Sequence, residues 1–125
     1  MADIKKTKKK KYTSHEIAHL ISQAADSKKA EDIVILDMKK VADFTDYFVI
    51  CHGTSNMQVK AICDAIEETL LKYDIKYWHR EGYENQQWIL LDYIDVVCHI
   101  FNQSKRSYYN LEKLWADADI EKIES

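Results

Sequence analysis

Cys51-His52 and Cys98-His99 put two metal-ligating residue types side by side, twice. Adjacent residues on a strand point to opposite faces, so neither pair can hold one ion through both side chains. No C-x-x-C occurs in the chain, and no metal site and no cofactor are expected. The cysteine count is odd (Cys51, Cys63, Cys98), and two of the three sit inside apolar runs. They read as reduced thiols of a cytosolic protein, used as small buried hydrophobes. Ser55 follows Gly53 at a strand-to-helix turn, where a helix start could stabilise an anion. A nucleophilic serine needs an adjacent base, and no G-x-S-x-G elbow surrounds Ser55. Helix capping accounts for it.

Phosphoryl or nucleotidyl transfer is the enzymatic alternative. A Gly-Thr-Ser turn at a strand end is how nucleotidyltransferase-type folds begin their site, but such sites add two neighbouring carboxylates that hold divalent metal. The later strands carry no D-x-D or D-x-E, and Asp92 and Asp95 flank a turn, pointing apart or into solvent. A metal-dependent nucleotidyltransferase therefore stays an alternative reading, and no catalytic residue is assigned. With only Gly53 and Gly82 and no proline, glycine-rich phosphate cradles and Pro- or Gly-rich linkers are excluded. What remains is a surface. Trp88, Leu90 and Asp92 lie on one face of a strand, and Ile89, Leu91 and Tyr93 on the other. Helices on one side of a sheet cannot bury both sets, so one is partly exposed or is covered by the terminal helix through Leu111 and Trp115. An exposed aromatic with an aliphatic neighbour and an acidic rim has the composition of an interaction hot spot.

The elements that position this surface follow from periodicity. Thr13-x-x-Glu16 is a capping box. Ile17, Leu20, Ile21, Ala24 and Ala25 then form one helical stripe, predicting a helix from 14 to about 27, with Lys28 and Lys29 at its negative end. Ile33 to Leu36 and Tyr47 to Cys51 are short, β-branched and apolar on both faces, as buried strands are. They are expected to be parallel or joined by a short crossover, and Asp37 and Asp46 to orient the intervening turns. Ser55 to Gln58 caps a helix over about 56–72, with Val59, Ile62, Cys63, Ile66, Leu70 and Tyr73 as its stripe. Residues 75–80 alternate as a strand, 82–86 turn, and 87–91 and 96–101 form an antiparallel hairpin. Ser104 caps a last helix bearing Tyr108, Leu111, Leu114 and Trp115. The order α-β-β-α-β-β-β-α predicts a single α/β domain, with helices flanking a mixed sheet of about five strands.

Length and composition agree with one domain: 125 residues, 46% hydrophobic and 31% charged. No run is apolar enough to span a bilayer, and no apolar stretch follows the N-terminal charges as in a secretory signal. No membrane partner is expected, and the cytoplasm is the expected location. Eighteen basic residues oppose 21 acidic ones, a net of −3. Six of the lysines (Lys5, Lys6 and Lys8 to Lys11) fall in the first eleven residues beside Asp3 alone, leaving twelve basic and twenty acidic residues, a net of −8, in the rest. Residues 1–12 are thus expected to be a flexible lysine-rich tail, 13–118 the domain and 119–125 a C-terminal tail. The acidic body suits a basic protein partner.

Several blocks together resemble the ribosomal silencing factor (Iojap) family: Lys29 to Asp37 (KAEDIVILD), Thr45 to Ser55 (TDYFVICHGTS), Glu81-Gly82, Trp88 to Phe101 (WILLDYIDVVCHIF) and Tyr108 to Trp115 (YYNLEKLW). The resemblance covers about residues 14–118. It implies a nucleotidyltransferase-like topology without the catalysis. It also implies docking on protein number fourteen of the large ribosomal subunit. Docked there, the factor blocks joining of the small subunit, lowers translation when nutrients are short, and has a further role in large-subunit assembly. Ile94 departs from the family, which commonly has glycine there. Since isoleucine makes positive φ costly, another turn geometry is expected. On this reading Trp88 and Leu90 supply apolar contact and Asp92 meets a basic residue. Asp95 and Glu81 form the rim, with Tyr83 and His99 nearby. Lys8, Lys9, Lys10 and Lys11 are the candidate rRNA contact. A homodimer formed through the same sheet face is the other candidate assembly.

Overall fold

A computed structural model describes residues 11–124. Helix α1 (Ser14–Ser27) starts at the expected capping box: the Thr13 side chain accepts from Glu16 N, and the Glu16 carboxylate accepts from Thr13 N. Then follow β1 (Glu31–Asp37), β2 (Tyr47–Gly53), α2 (Asn56–Lys72), β3 (His79–Glu81), β4 (Trp88–Asp92), β5 (Val96–Asn102), α3 (Gln103–Tyr109), α4 (Leu111–Leu114) and β6 (Asp119–Lys122). Ser55 caps α2 by accepting from Gln58 N.

Both long helices end in the same way. Lys29 and Asp74 take left-handed φ of 62° and 63° just beyond the caps. Ala30 N reaches Ala25 O and Ile75 N reaches Leu70 O, a 6→1 closure made without glycine. Lys28 and Lys29 therefore lie past the last turn of α1 rather than within it, and Tyr73 falls outside the buried stripe of α2.

The sheet has six strands in the order β3-β4-β5-β2-β1-β6, one more than expected. The addition is β6, in the segment after 118 expected to be a tail. Its residues are all exposed and show no apolar alternation, so nothing in them signals a strand; Asp119-Ile120-Glu121 nonetheless makes β6 a late strand with a D-x-E, contrary to the expectation that the later strands carry none. The pairing of β1 with β2 is antiparallel. Only residues 38–46 join them, and a parallel pair needs a crossover of a dozen or more residues. The parallel pair is β2 with β5, linked through α2 and the β3–β4 segment. The predicted 75–80 strand is pared to His79–Glu81. Asn102, not Ser104, caps α3, accepting from Ser104 N. Asn110, at φ 47°, divides the expected last helix into α3 and α4.

Helices α1 and α2 cover one face of the sheet. Ala18, Ile21, Val59, Ile62 and Ile66 pack there against Ile35, Val49, Ile89, Leu91 and Ile100. A smaller cluster covers the other face, with Val34, Leu36, Phe48, Ile50, Val97 and Phe101 under Met38, Leu111, Ala118 and Trp115. Among the described residues no helix is long and apolar enough to cross a membrane.

Candidate functional surface

Strand alternation sorts the candidate residues. Ile89, Leu91 and Tyr93 are buried under α2, while Trp88, Leu90 and Asp92 are half-buried on the opposite face. Both expectations for that face hold in part. Trp88 and Leu90 border the same apolar cluster as Leu111 and Trp115, the terminal segment touches Trp88 through Tyr109, and neither Trp88 nor Leu90 is fully covered. In the β3–β4 register Glu81 stands opposite Leu90 and His79 opposite Asp92. Directly opposed residues share a face, so Glu81 joins the Trp88 side, where its carboxylate lies 2.7 Å from His79 Nε2.

Trp88 is held in place. Its indole N–H donates to His99 Nδ1 at 3.1 Å, its ring stacks on Phe101 at 4.9 Å, and Tyr109 lies 4.6 Å away. Nδ1 accepts, so the His99 proton sits on Nε2, a buried atom with no hydrogen-bond partner. His99 is only 5% exposed and burial lowers its pKa to about 3. It is thus a neutral support beneath Trp88 and not a surface contact. Tyr83 also departs from its expected place. Its hydroxyl donates to Asp64 on α2 at 2.7 Å, and the Arg80 guanidinium lies 3.9 Å from its ring centroid. That puts Tyr83 on the helix side of the sheet. The bond to Asp64, aided by desolvation, pushes its pKa up to about 12.

The hairpin tip borders this face. Asp92 Oδ1 accepts from Ile94 N at 2.7 Å, and Asp95 N donates to Tyr93 O at 2.9 Å. Ile94 sits at φ 75° and is exposed, so the tip keeps the positive φ that glycine would favour and the expected alternative geometry is not adopted. An i→i+2 turn with φ near +75° is rare and strained. Asp95 is exposed, and its carbonyl accepts from Asp46 N and Tyr47 N, tying the tip to the start of β2. Asp37 plays the turn role expected of it, accepting from Lys39 N at 3.0 Å. Further along the face Phe44 is 58% exposed and packs on Phe48 and Trp115. Sequence periodicity misses it, because Phe44 lies in an irregular loop. Lys11 is exposed; Lys8, Lys9 and Lys10 lie outside the described residues.

The residues first considered for chemistry are disposed differently. Cys51 and Cys98 join the helix-side core while His52 and His99 face the other way, as strand geometry requires. All three cysteines are buried, free thiols. Burial pushes Cys51 up to about 12 and raises Cys63 and Cys98 well above the ordinary thiol value, which suppresses the reactive thiolate. His52 is instead part of a polar group that no motif announced. Its Nδ1 accepts from Arg106 at 3.0 Å, its Nε2 lies 3.2 Å from Glu31, and Arg106 also pairs with Glu112 at 2.8 Å. His52, Arg106 and Glu112 edge an open cleft of about 720 Å³ between β1 and α3. Among the described residues, two groups could hold a cation: His15, His19 and Glu121, and Cys63, Asp64 and Glu67. Neither includes a residue of the Ser55 turn.

Comparison with known proteins agrees with this arrangement. The family model described as ribosomal silencing factor during starvation matches residues 11–125. The ribosomal silencing factor RsfS of Bacillus subtilis is 45% identical over 104 residues, covering 83% of this chain and 88% of that protein. The one from Halalkalibacterium halodurans is 43% identical over 112 residues, covering 90% and 96%. A crystal structure of a Chromobacterium violaceum protein superposes with a TM-score of 0.82 at 32% identity, covering 84% of this chain and 88% of that one. The chain, with its six-stranded mixed sheet and its aromatic, acid-rimmed face, belongs to the ribosomal silencing factor family.

Proposed function

We propose that this protein represses translation by binding the large ribosomal subunit through the Trp88–Leu90–Asp92 face and barring the small subunit by bulk. The partner on the subunit is its protein number fourteen, and the action belongs to nutrient limitation in the cytoplasm, with a further role in large-subunit assembly. The observation that carries this is the fixed Trp88. Its ring is clamped by His99, Phe101 and Tyr109 in the free chain, so docking requires little side-chain ordering. Leu90 and Ile94 extend the apolar area. Asp92, Asp95 and Glu81 supply negative charge suited to a basic ribosomal protein. A patch of about 800 Å² per partner is the usual size of a stable contact. The mechanism needs no bond to be made or broken, only occupancy of one subunit's joining surface.

Sedimentation of purified subunits with the protein tests this. The chain should travel with the large subunit and reduce the joined particle. Asp92→Asn keeps an oxygen to accept from Ile94 N while removing the charge, and should weaken attachment several-fold. Trp88→Ala should weaken it by about 30-fold or more, as for a buried aromatic anchor. Migration with the small subunit alone, or normal joining in saturating protein, overturns the proposal. Removing the first ten residues should flatten the salt dependence of attachment if the lysines touch rRNA. Light scattering of the free chain reports whether the same face also pairs with itself.

A further inference from the structure

We propose that His15, His19 and Glu121 form a binding site for a borderline divalent cation of the zinc class, which clamps the edge strand β6 onto helix α1. His15 and His19 are one helical turn apart, so their rings project from the same side of α1. Their ring centroids are 4.5 Å apart, and both Nε2 atoms converge on one carboxylate. His15 Nε2 lies 3.2 Å from Glu121 Oε1 and His19 Nε2 lies 3.0 Å from Glu121 Oε2. Glu121 reaches them because β6 pairs with β1 in a register that sets it opposite Ile35. Ile35 is buried on the helix side of the sheet, so Glu121 is on that side as well.

The chemistry of the donors selects the ion. Two imidazole nitrogens and one carboxylate oxygen are a three-ligand zinc set, which leaves a fourth position for water. A tetrahedral ion with bonds of about 2.0–2.2 Å holds its donors about 3.4 Å apart. The donor atoms here already lie within 4.8 Å of one another, and all three side chains are partly exposed, so small rotations complete the set. Imidazole disfavours magnesium and calcium, which take oxygen. A cleft of about 160 Å³ opens beside the site, and Asp37 and Asp119 on its wall add negative charge.

The clamp has a structural consequence. β6 is a four-residue edge strand with every residue exposed, and its side chains bury little to hold it. A cation bridging it to α1 would join the C-terminal edge of the sheet to the first helix. This proposal is independent of ribosome attachment.

The test is calorimetric titration of the untagged full-length chain, stripped of metal, with zinc chloride and separately with magnesium chloride. Zinc should bind at one equivalent with micromolar affinity and raise Tm by about 5–10 °C at saturation, and magnesium should give no saturable heat. His19→Asn and Glu121→Gln should each weaken zinc binding by about 10–100-fold with unchanged circular dichroism. Asp64→Asn, in the other cluster, should leave it intact. Cobalt(II) bound to the unaltered chain should show d–d bands without a sulfur charge-transfer band. The proposal is overturned by the absence of saturable zinc binding, by retention of affinity in both site variants, by loss in Asp64→Asn alone, or by a thiolate signature in the cobalt spectrum.

Discussion

Acid should destabilise this fold well before its carboxylates are protonated, because His99 must stay neutral. The ring is 5% exposed, Trp88 donates to its Nδ1, and burial holds its pKa at about 3. In the unfolded chain an imidazole titrates near 6.5. Between those values the unfolded state binds more protons than the folded one. Stability is therefore full above about pH 6.5 and falls as pH drops toward the folded value. Each pH unit in that window costs about 1.4 kcal/mol, so about 2.5 kcal/mol disappears between about pH 6.5 and pH 4.5. Urea unfolding followed by far-ultraviolet circular dichroism, at about pH 7 and about pH 4.5, measures this directly. His99→Phe leaves the Trp88 N–H without its acceptor, a penalty of about 1–2 kcal/mol at either pH. The informative quantity is thus the difference between the two pH values, which should shrink by about 2 kcal/mol in the variant. The double variant His99→Phe with Trp88→Phe removes both partners and should show the same reduced difference. An equal pH difference in the unaltered protein and both variants would refute a neutral, buried His99.

Ile94→Gly should raise stability by about 1 kcal/mol, read from the denaturation midpoint, because glycine relieves the strain of φ 75°. Gly82→Ala should cost about 2–4 kcal/mol, since a Cβ at φ 78° would lie 2.0 Å from Trp88 O; a melting curve within a degree of the parent would contradict the turn geometry. Arg106→Met should cost about 2–4 kcal/mol in chemical denaturation, because it leaves Glu112 and the buried His52 without their cation.

How much was legible in the sequence depended on whether an element declares itself locally. Helices α1 and α2 did, through capping residues and apolar stripes one turn apart, and so did the buried strands Tyr47–Gly53 and Val96–Asn102. Their ends did not, because Lys29 and Asp74 take the conformation usually marked by glycine. Strand β6 exists because β1 offers it an edge, not because Asp119 to Lys122 favours a strand. Alternation along β4 assigned Trp88, Leu90 and Asp92 to one face, but it carries no information on depth, so His99 and Trp88 looked alike. Tyr83 lies in a turn rather than a strand, and its side depends on Asp64, which is distant in sequence, as well as on nearby Arg80. His15-Glu16-Ile17-Ala18-His19 is an H-E-x-x-H run that sequence reasoning missed, and the carboxylate the two histidines meet lies 106 residues beyond His15.

The asymmetry of the sheet explains why the proposed site lies where it does. Two long helices seal one face, while the other has only residues 38–45, two short helices and the segment through Ala118. That cover is thick over β1, β2 and β5 and reaches β4 mainly through Tyr109 on Trp88. Asn110, at φ 47°, ends α3 just after Tyr109. The aromatic side chains left at the border are packed on one another, so they present a rigid surface without a partner. Beside them the backbone tolerates an isoleucine at a position where it costs stability and gains exposure. Strain of that kind persists only where the surrounding structure over-determines it. Here the Asp92 and Asp95 hydrogen bonds do so, holding Ile94 exposed beside the face proposed for docking.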